Sequence, residues 1–524
     1  MRPSLLFLPS TTLLLMVSCQ LTKPYEPPPT TAPIEWKNTS DQNAPNESQE
    51  SSSEEAACQN ENSEEEARAK AIEQLANWWE IFDDPVLNQL EEQAVELNYH
   101  LLATFEKVLE ARAIARINLA PLYPSAYFSP VYQRSQMLVT SPISIPSSLL
   151  TATTPNAPPP SSSSSNQLLN TGLPTNVFRF LDTEYALPFN FQYEVDLWKR
   201  LHNIYYGSVY RAQAAEEDYF NVLLSLTAEV ASSYFQMRDY DFQGKILDEA
   251  IRSRQTSYEI NRDRFKAGLL NYVDVSRAEV QVANAQSDSI NVKRLRETQV
   301  NLIATLVGVP ASTFSLDYHP VEVPPPKIPT GLPSELLCRR PDILEAERLL
   351  AAAYTDIGVA YSGFFPSLNL NASVGLESPV TSILFDWKAR MWEIGASIVQ
   401  LIFDAGRTQA TVDLAIARFR EQFNNYQETV LSAFQEVETA LVNLREKASQ
   451  AQALENSVKS SQITYDLSYM RYRQGVDIYL NVTDAERDLL QAKQNSAIVL
   501  GDRYVQTVAL IQALGGGWGT CECE

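Results

Sequence analysis

Histidine is nearly absent from this 524-residue chain: His100, His202 and His319 are the only three, and they lie far apart. No HExxH, GxSxG or Walker pattern accompanies them, so no catalytic set, cofactor site or metal site is expected. Base is scarce relative to acid. The 41 Lys and Arg face 64 Asp and Glu, and a net charge of −23 leaves little to neutralise phosphates, which excludes nucleic acid as a partner. Long apolar runs are missing beyond the N-terminal segment: no stretch reaches roughly 18 uncharged apolar residues, so any membrane crossing must be made by strands. Cysteine is limited to Cys19, Cys58, Cys338, Cys521 and Cys523. The terminal Cys521-Glu-Cys523 lacks the second half of a zinc ligand set and reads as a frayed tail.

What is present starts with Arg2 before LLFLPSTTLLLMV, a run too short for a mature spanning helix and suited to a secretory signal. It ends Met16-Val17-Ser18-Cys19, which resembles a bacterial lipobox. The resemblance makes residues 1–18 a signal peptide and Cys19 the lipid-bearing first mature residue, with Gln20 favouring the outer membrane. Residues 19–75 then read as a linker, Pro-rich at YEPPPTTAP and acidic from Asp41 to Glu66, which holds nine acids and one late cysteine but no base.

The body of the chain is written twice. FKAGLLNYVDVSRAE at Phe265 and YRQGVDIYLNVTDAE at Tyr472 share Gly268/Gly475, Tyr272/Tyr479, Val275/Val482, Ala278/Ala485 and Glu279/Glu486, all 207 positions apart. Pro124 and Pro366 align at 242 instead, so the first half carries about 35 extra residues, assigned to a Ser/Pro-rich loop over about 136–175. The repeats are placed at 76–320 and 321–518, with a tail at 519–524.

Each half pairs a period-2 hairpin with very long helices. Tyr185 to Leu197 alternates strictly between an apolar and a polar face, as do the segments near 366–377 and 391–402; the strand near 124–134 is weaker, with Pro130 inside it. A soluble sandwich gives the same alternation, but aromatics on the apolar face, together with the signal, favour lipid. Four strands cannot close a barrel, so copies must share one: two would give eight strands, three twelve, four sixteen. Proline-free stretches from about Asn203 to Arg264 and Arg407 to Arg471 predict helices of roughly 90 Å, too long for a globule. Shorter helices are expected over Val275–Val307 and Val482–Leu514, after the turns, and over Pro85–Asn118 and Pro341–Ser362, before the hairpins.

With DDPVLNQL at Asp83, RRPDILEAERLLAAAYTDIGVAYSGFFPSL at Arg339 and LIFDAGR at Leu401, the chain resembles the TolC/OprM-type outer-membrane factors, in their lipoprotein, NodT-type branch. The resemblance implies an α+β membrane protein: a homotrimer whose four strands per chain form a twelve-stranded transmembrane β-barrel continuous with a long periplasmic α-helical barrel. It implies an exit duct for drugs or other small molecules in the outer membrane, with a periplasmic adaptor and an inner-membrane proton-driven exporter as partners. A type I protein secretion outlet shares the architecture, and a coiled-coil scaffold without a pore is the alternative of another class. By the matching motif the repeated turns become the periplasmic tips, Asp274, Asn481 and Asp484 fall at the gate, and Asp477 stands where some members carry a base. Neither a second acidic ring nor a cross-turn ion pair is therefore expected. Gly268, Leu269, Gly475 and Val476 would meet the adaptor. The same residues have plain structural roles: Asp274 and Asn481 as N-caps, Asp484 in a first helical turn, and the glycines as helix terminators.

Overall fold

A computed structural model describes residues 77–141, 176–328 and 336–516, with residues 23, 25, 27, 28, 33, 36, 37 and 333. Cys19, Cys58, Cys521, Cys523, the signal segment and the stretch 142–175 lie outside the described residues. The chain divides into a strand unit (Asn118–His202 and Ser362–Ala405) and a helical unit.

The strand unit is one antiparallel sheet of β1 (Ser125–Phe128), β2 (Val131–Ser141), β3 (Asn176–Val195), β4 (Ser367–Ser378) and β5 (Arg390–Val399). Both β1 and β2 pair with β3, which pairs with β4, which pairs with β5. The first two are one strand path interrupted at Ser129-Pro130, because proline has no N–H for the ladder. That leaves four paths and two open edges among the described residues. The first hairpin is longer than its sequence suggests. Residues 136–141, expected in the loop, continue the ladder, and β3 starts at Asn176 rather than at Tyr185. QMLVTS and NVFRFLDTE mix polar and apolar residues too freely for period 2 to stand out there.

Register keeps the apolar faces together. Phe189 opposes Val374, which opposes Trp392; Phe191 opposes Ala372, which opposes Ile394; Val195 opposes Leu368, which opposes Ile398. On the other face Asn190 opposes Ser373, which opposes Glu393, and Gln192 opposes Asn371, which opposes Gly395. A one-residue slip would exchange the faces, so the alternation fixes the register. Nothing described covers the apolar face: Trp392, Ile394 and Ile398 are 73%, 78% and 72% exposed. At ~3.3 Å per residue β4 is about 40 Å long, and a tilt of ~45° brings this to about 28 Å, the thickness of a bilayer core.

The helical unit contains α1 (Pro85–Leu97), α2 (Tyr99–Leu119), α3 (Arg200–Lys266), α4 (Tyr272–Val307), a single turn α5 (Leu336–Arg339), α6 (Pro341–Ser362), α7 (Arg407–Arg473) and α8 (Tyr479–Ala513). Both α3 and α7 have 67 residues, and their first and last residues are each 207 positions apart. At 1.5 Å per residue each spans about 100 Å. The helix expected over Pro85–Asn118 is two. Asn98 stops one and caps the next, its Oδ1 accepting from the His100 and Leu101 N–H groups while its Nδ2 donates to Leu306 O at 2.7 Å.

Trp78 and Trp79, each 4% exposed, enter a core with Leu87, Tyr234, Phe235 and Tyr504. The segment joining the repeats is bound to α3 by Asp241, 0% exposed, which accepts from Arg238 at 3.0 Å, Arg296 at 2.6 Å and the His319 N–H at 3.0 Å. Part of the expected linker is also ordered against the helices. Trp36 is buried and meets Phe434 edge-on at 6.1 Å, and Tyr25 lies between Tyr210 and Tyr354. The RRPD segment opens α6 at Pro341 as expected. Its Arg340 does more: it holds Asp342 at 2.6 Å and Glu436 at 2.7 Å, and donates to Ala513 O, tying the start of α6 to α7 and the end of α8.

Candidate functional site

The repeated turns have one backbone geometry. Gly268 takes φ +77° and Gly475 φ +75°, in the left-handed region that side chains disfavour. In each turn the glycine N–H donates to the carbonyl three residues back, and the next N–H reaches five back: Leu269 to Arg264 O at 2.9 Å, Val476 to Arg471 O at 3.0 Å. These bonds satisfy the orphan carbonyls of α3 and α7, so the glycines terminate the helices. An aromatic pair spans each turn. Phe265 with Tyr272, and Tyr472 with Tyr479, both have ring centroids 5.4 Å apart. Ring burial differs between them. Phe265 and Tyr272 are 39% and 58% exposed, whereas Tyr472 and Tyr479 are buried.

The helices after the turns start three residues earlier than their sequences suggest, at Tyr272 and Tyr479, and this moves the candidate residues. Asn271 caps α4, leaving Asp274 at the third helical position, 3.7 Å from Arg277. Ile478 is the cap position of α8 without a side-chain bond, so Asn481 is not a cap. Asp484 falls in the second turn rather than the first, 3.5 Å from Arg487 and half exposed. The aromatic residues opening each helix resemble turn residues in a one-dimensional reading.

Asp477 and Asn481 are brought together, and a cross-turn ion pair forms after all. The Asn481 Nδ2 donates to Asp477 Oδ1 at 2.6 Å, and Arg471 Nε lies 3.4 Å from Asp477 Oδ2. The acid sits in the turn and the base at the end of the long helix, the reverse of the arrangement that the family pattern led one to look for. Asp274 and Asp484 belong to separate hairpins, each paired with its own arginine. Leu269 and Val476 are 74% and 67% exposed at the turn apices, with Ile478 beside them at 62%.

Sequence reading missed the residues that join the two hairpins of one chain. Tyr472 Oη donates to Asn261 Oδ1 at 2.7 Å, and Asn261 is fully buried. The Arg264 guanidinium lies 4.8 Å over the Tyr472 ring. Arg254, whose Nη1 donates to Gln281 O, faces Glu486 at 3.9 Å with both side chains buried. Burial raises the Glu486 carboxyl above its ordinary range, opposed by the nearby Arg254 charge. Tyr472 and Glu486 stand in the repeated motif; Asn261 and Arg254 lie 211 and 232 positions from their partners with no local signature.

The outer membrane efflux protein family model matches residues 90–309 and again 332–516, one copy for each half. Among curated relatives, the "Probable efflux pump outer membrane protein TtgC" of Pseudomonas putida is 30% identical over 449 residues, covering 84% of this chain and 85% of that protein. The "Cation efflux system protein CusC" of Escherichia coli is 33% identical over 340 residues, covering 64% of this chain and 73% of CusC. Among solved structures, the open-state MtrE outer membrane channel of Neisseria gonorrhoeae superposes with a TM-score of 0.72 at 25% identity, covering 95% of this chain and 98% of MtrE. Outer-membrane efflux factors are trimers that work with periplasmic adaptors and inner-membrane pumps. With a model match over more than half its length, the chain belongs to the outer membrane efflux protein family.

Proposed function

We infer that the chain is one third of an outer-membrane exit duct through which an inner-membrane pump and periplasmic adaptor expel small molecules. The observation that carries this is the sheet. Among the described residues one face is apolar along three registered strands and uncovered, the other is polar, and both edges are open. In lipid an open edge leaves backbone N–H and C=O groups unpaired at several kcal/mol each. Three copies of four strand paths remove the edges and place the polar face around a twelve-stranded bore.

The turns are proposed as the periplasmic tip. Asp484, half exposed beside the turn, would repeat by threefold symmetry as a ring of carboxylates that admits cations more readily than anions. Asp274, Asn481 and Asp477 would line the same region, the last two as a bonded pair. Leu269 and Val476, with Gly268 and Gly475 shaping the turns, offer apolar apices to the adaptor. Cys19 is proposed as the lipid anchor.

Planar-bilayer recording of the purified oligomer, with its mass measured in parallel, tests the duct. A trimer that forms discrete ion-conducting channels is expected; a stable, non-conducting monomer would refute it. Cys19→Ser should abolish incorporation of labelled fatty acid, and label retained by that variant would remove the anchor.

A further inference from the structure

The strands sort their charges by face. Acids fall on the polar one: Asp182 opposes Ser135, Glu184 opposes Gln133, Glu194 opposes Asn369, Glu377 opposes Ala186 and Glu393 opposes Ser373, all in step with Asn190 and Gln192. Bases fall on the other. Arg390 opposes Leu376, which opposes Leu187, in the row next to Trp392, Val374 and Phe189. Arg134 opposes Thr183, two residues along β3 from Tyr185, and so shares that apolar face. Among the described strand side chains, no base stands on the polar face and no acid on the apolar one.

The two bases also keep to one end of the sheet. Each lies nine residues from the helix end of its own strand path, Ser125 to Arg134 and Val399 to Arg390. At ~3.3 Å per residue and a ~45° tilt that is about 21 Å, close to the top of an apolar band ~25 Å tall. The hairpin ends of the strands lie away from their helix ends, and with the helices in the periplasm they reach the outer leaflet. Aromatic rings of the kind that mark a lipid–water boundary stand beside both bases. Tyr132, 60% exposed, meets Tyr185 with ring centroids 4.9 Å apart. Trp387, 76% exposed, lies 4.9 Å from the Arg390 guanidinium, and its carbonyl accepts from Arg390 Nη1 at 3.0 Å. Neither arginine is ion-paired among the described residues.

Arg134 and Arg390 occupy opposite edges of the sheet, on β2 and β5. Closing the ring sets β5 of one copy beside β2 of the next, ~4.8 Å away, so both guanidiniums arrive at the same seam and repel each other unless an anion lies between them. We propose that Arg390 of one copy and Arg134 of the next clamp the phosphate of an outer-leaflet lipid headgroup, one lipid at each seam of the barrel. The guanidinium fork matches a phosphate, and the apolar rows of Trp392 and Ile394 next to it receive the acyl chains, which a free phosphate would leave bare. This rests on the duct reading and adds the lipid that its barrel holds.

The test loads the purified full-length oligomer in detergent with lipid A carrying both of its phosphates. Bound lipid is counted by native mass spectrometry, and conductance is recorded on the same preparation. Three lipids per trimer are expected. Lipid A stripped of its phosphates should bind about tenfold more weakly or worse, and Arg390→Gln and Arg134→Gln should each weaken binding of the intact lipid about tenfold, the loss of one charge-assisted contact. Arg420→Gln, at an exposed base of α7, should leave binding unchanged. Equal binding of stripped lipid A, or equal losses in all three variants, overturns the clamp. Displacement of the lipid by millimolar inorganic phosphate overturns it too, as a site for free anions. The stripped-lipid comparison uses the unaltered protein, which keeps the proposal testable where a variant fails to fold. A conducting trimer that retains no lipid A overturns the clamp alone; a non-conducting monomer overturns the duct, and the clamp with it.

Discussion

Asp239 allows a quantitative prediction. It lies on α3 against Gly501 of α8, so closely that a Cβ added at Gly501 would fall 2.6 Å from its Cβ and Cγ. One carboxylate oxygen accepts from Gln243 at 2.8 Å; the other is buried without a protein partner. The surrounding wall includes Phe235, Phe242, Leu500 and Tyr504, with Arg238 beside it and Asp502 adding negative charge from α8. Burial first, and Asp502 after it, push the Asp239 carboxyl up to about 7 from an ordinary 3.8. The folded state therefore binds a proton that the unfolded state has released between about pH 4 and 7. Stability contributed by that proton is complete below pH 4 and falls as pH rises to about 7. A three-unit difference amounts to about 4 kcal/mol as an upper bound. Asp239→Asn keeps an acceptor for Gln243 and removes the charge. It should stabilise the protein at pH 8 by up to about 4 kcal/mol and have little effect at pH 4. Thermal unfolding read by tryptophan fluorescence suits this, since Trp78 and Trp79 share a core with Phe235 and Tyr504. Equal gains at both pH values, or a loss at pH 8, would show that the carboxyl is not held protonated by its surroundings.

Other perturbations separate the roles assigned above. Gly308→Ala should lower stability by about 1–3 kcal/mol in the same melt, because Gly308 sits at φ +84° and an added Cβ would lie 2.5 Å from Leu97 O; a change under about 0.5 kcal/mol would contradict that geometry. Ile394→Lys, on the uncovered face of β5, should cost about 2–4 kcal/mol in lipid while Ser373→Lys on the opposite face costs less than about 1; equal costs in a folding assay into vesicles would deny that the first face meets lipid. Asp484→Ala should lower the cation-to-anion permeability ratio and raise conductance in bilayers, and unchanged channels would remove this carboxylate from the ion path.

Much of the fold was legible because it is periodic. Strand alternation set the faces of β4, β5 and β3 from Tyr185 onward, and the absence of proline set α3 and α7 to within a few residues. The 207-residue offset extends to these helices, and both have 67 residues. What escaped was set by the folded geometry, which local periodicity does not carry. Glu91 looks like an exposed position in LEEQAVEL yet is 0% exposed, and burial raises its carboxyl well above the ordinary range, consistent with a neutral acid in the core. Pro130 read as a flaw in a strand, but the ladder resumes beyond it along β3. Asp477 read as a departure from a pattern, and only the fold shows Arg471 and Asn481 converging on it.

Duplication explains why conservation of a turn and divergence of its contacts coexist. The backbone of each turn is demanded by local chemistry: a glycine with positive φ, two carbonyls to satisfy, and an aromatic pair to clasp the helices. Both copies must meet those demands, and both do at nearly identical angles and ring distances. Side chains facing the neighbouring repeat carry no such demand, so one copy could gain a tyrosine hydroxyl and a glutamate–arginine pair while the other kept phenylalanine and serine.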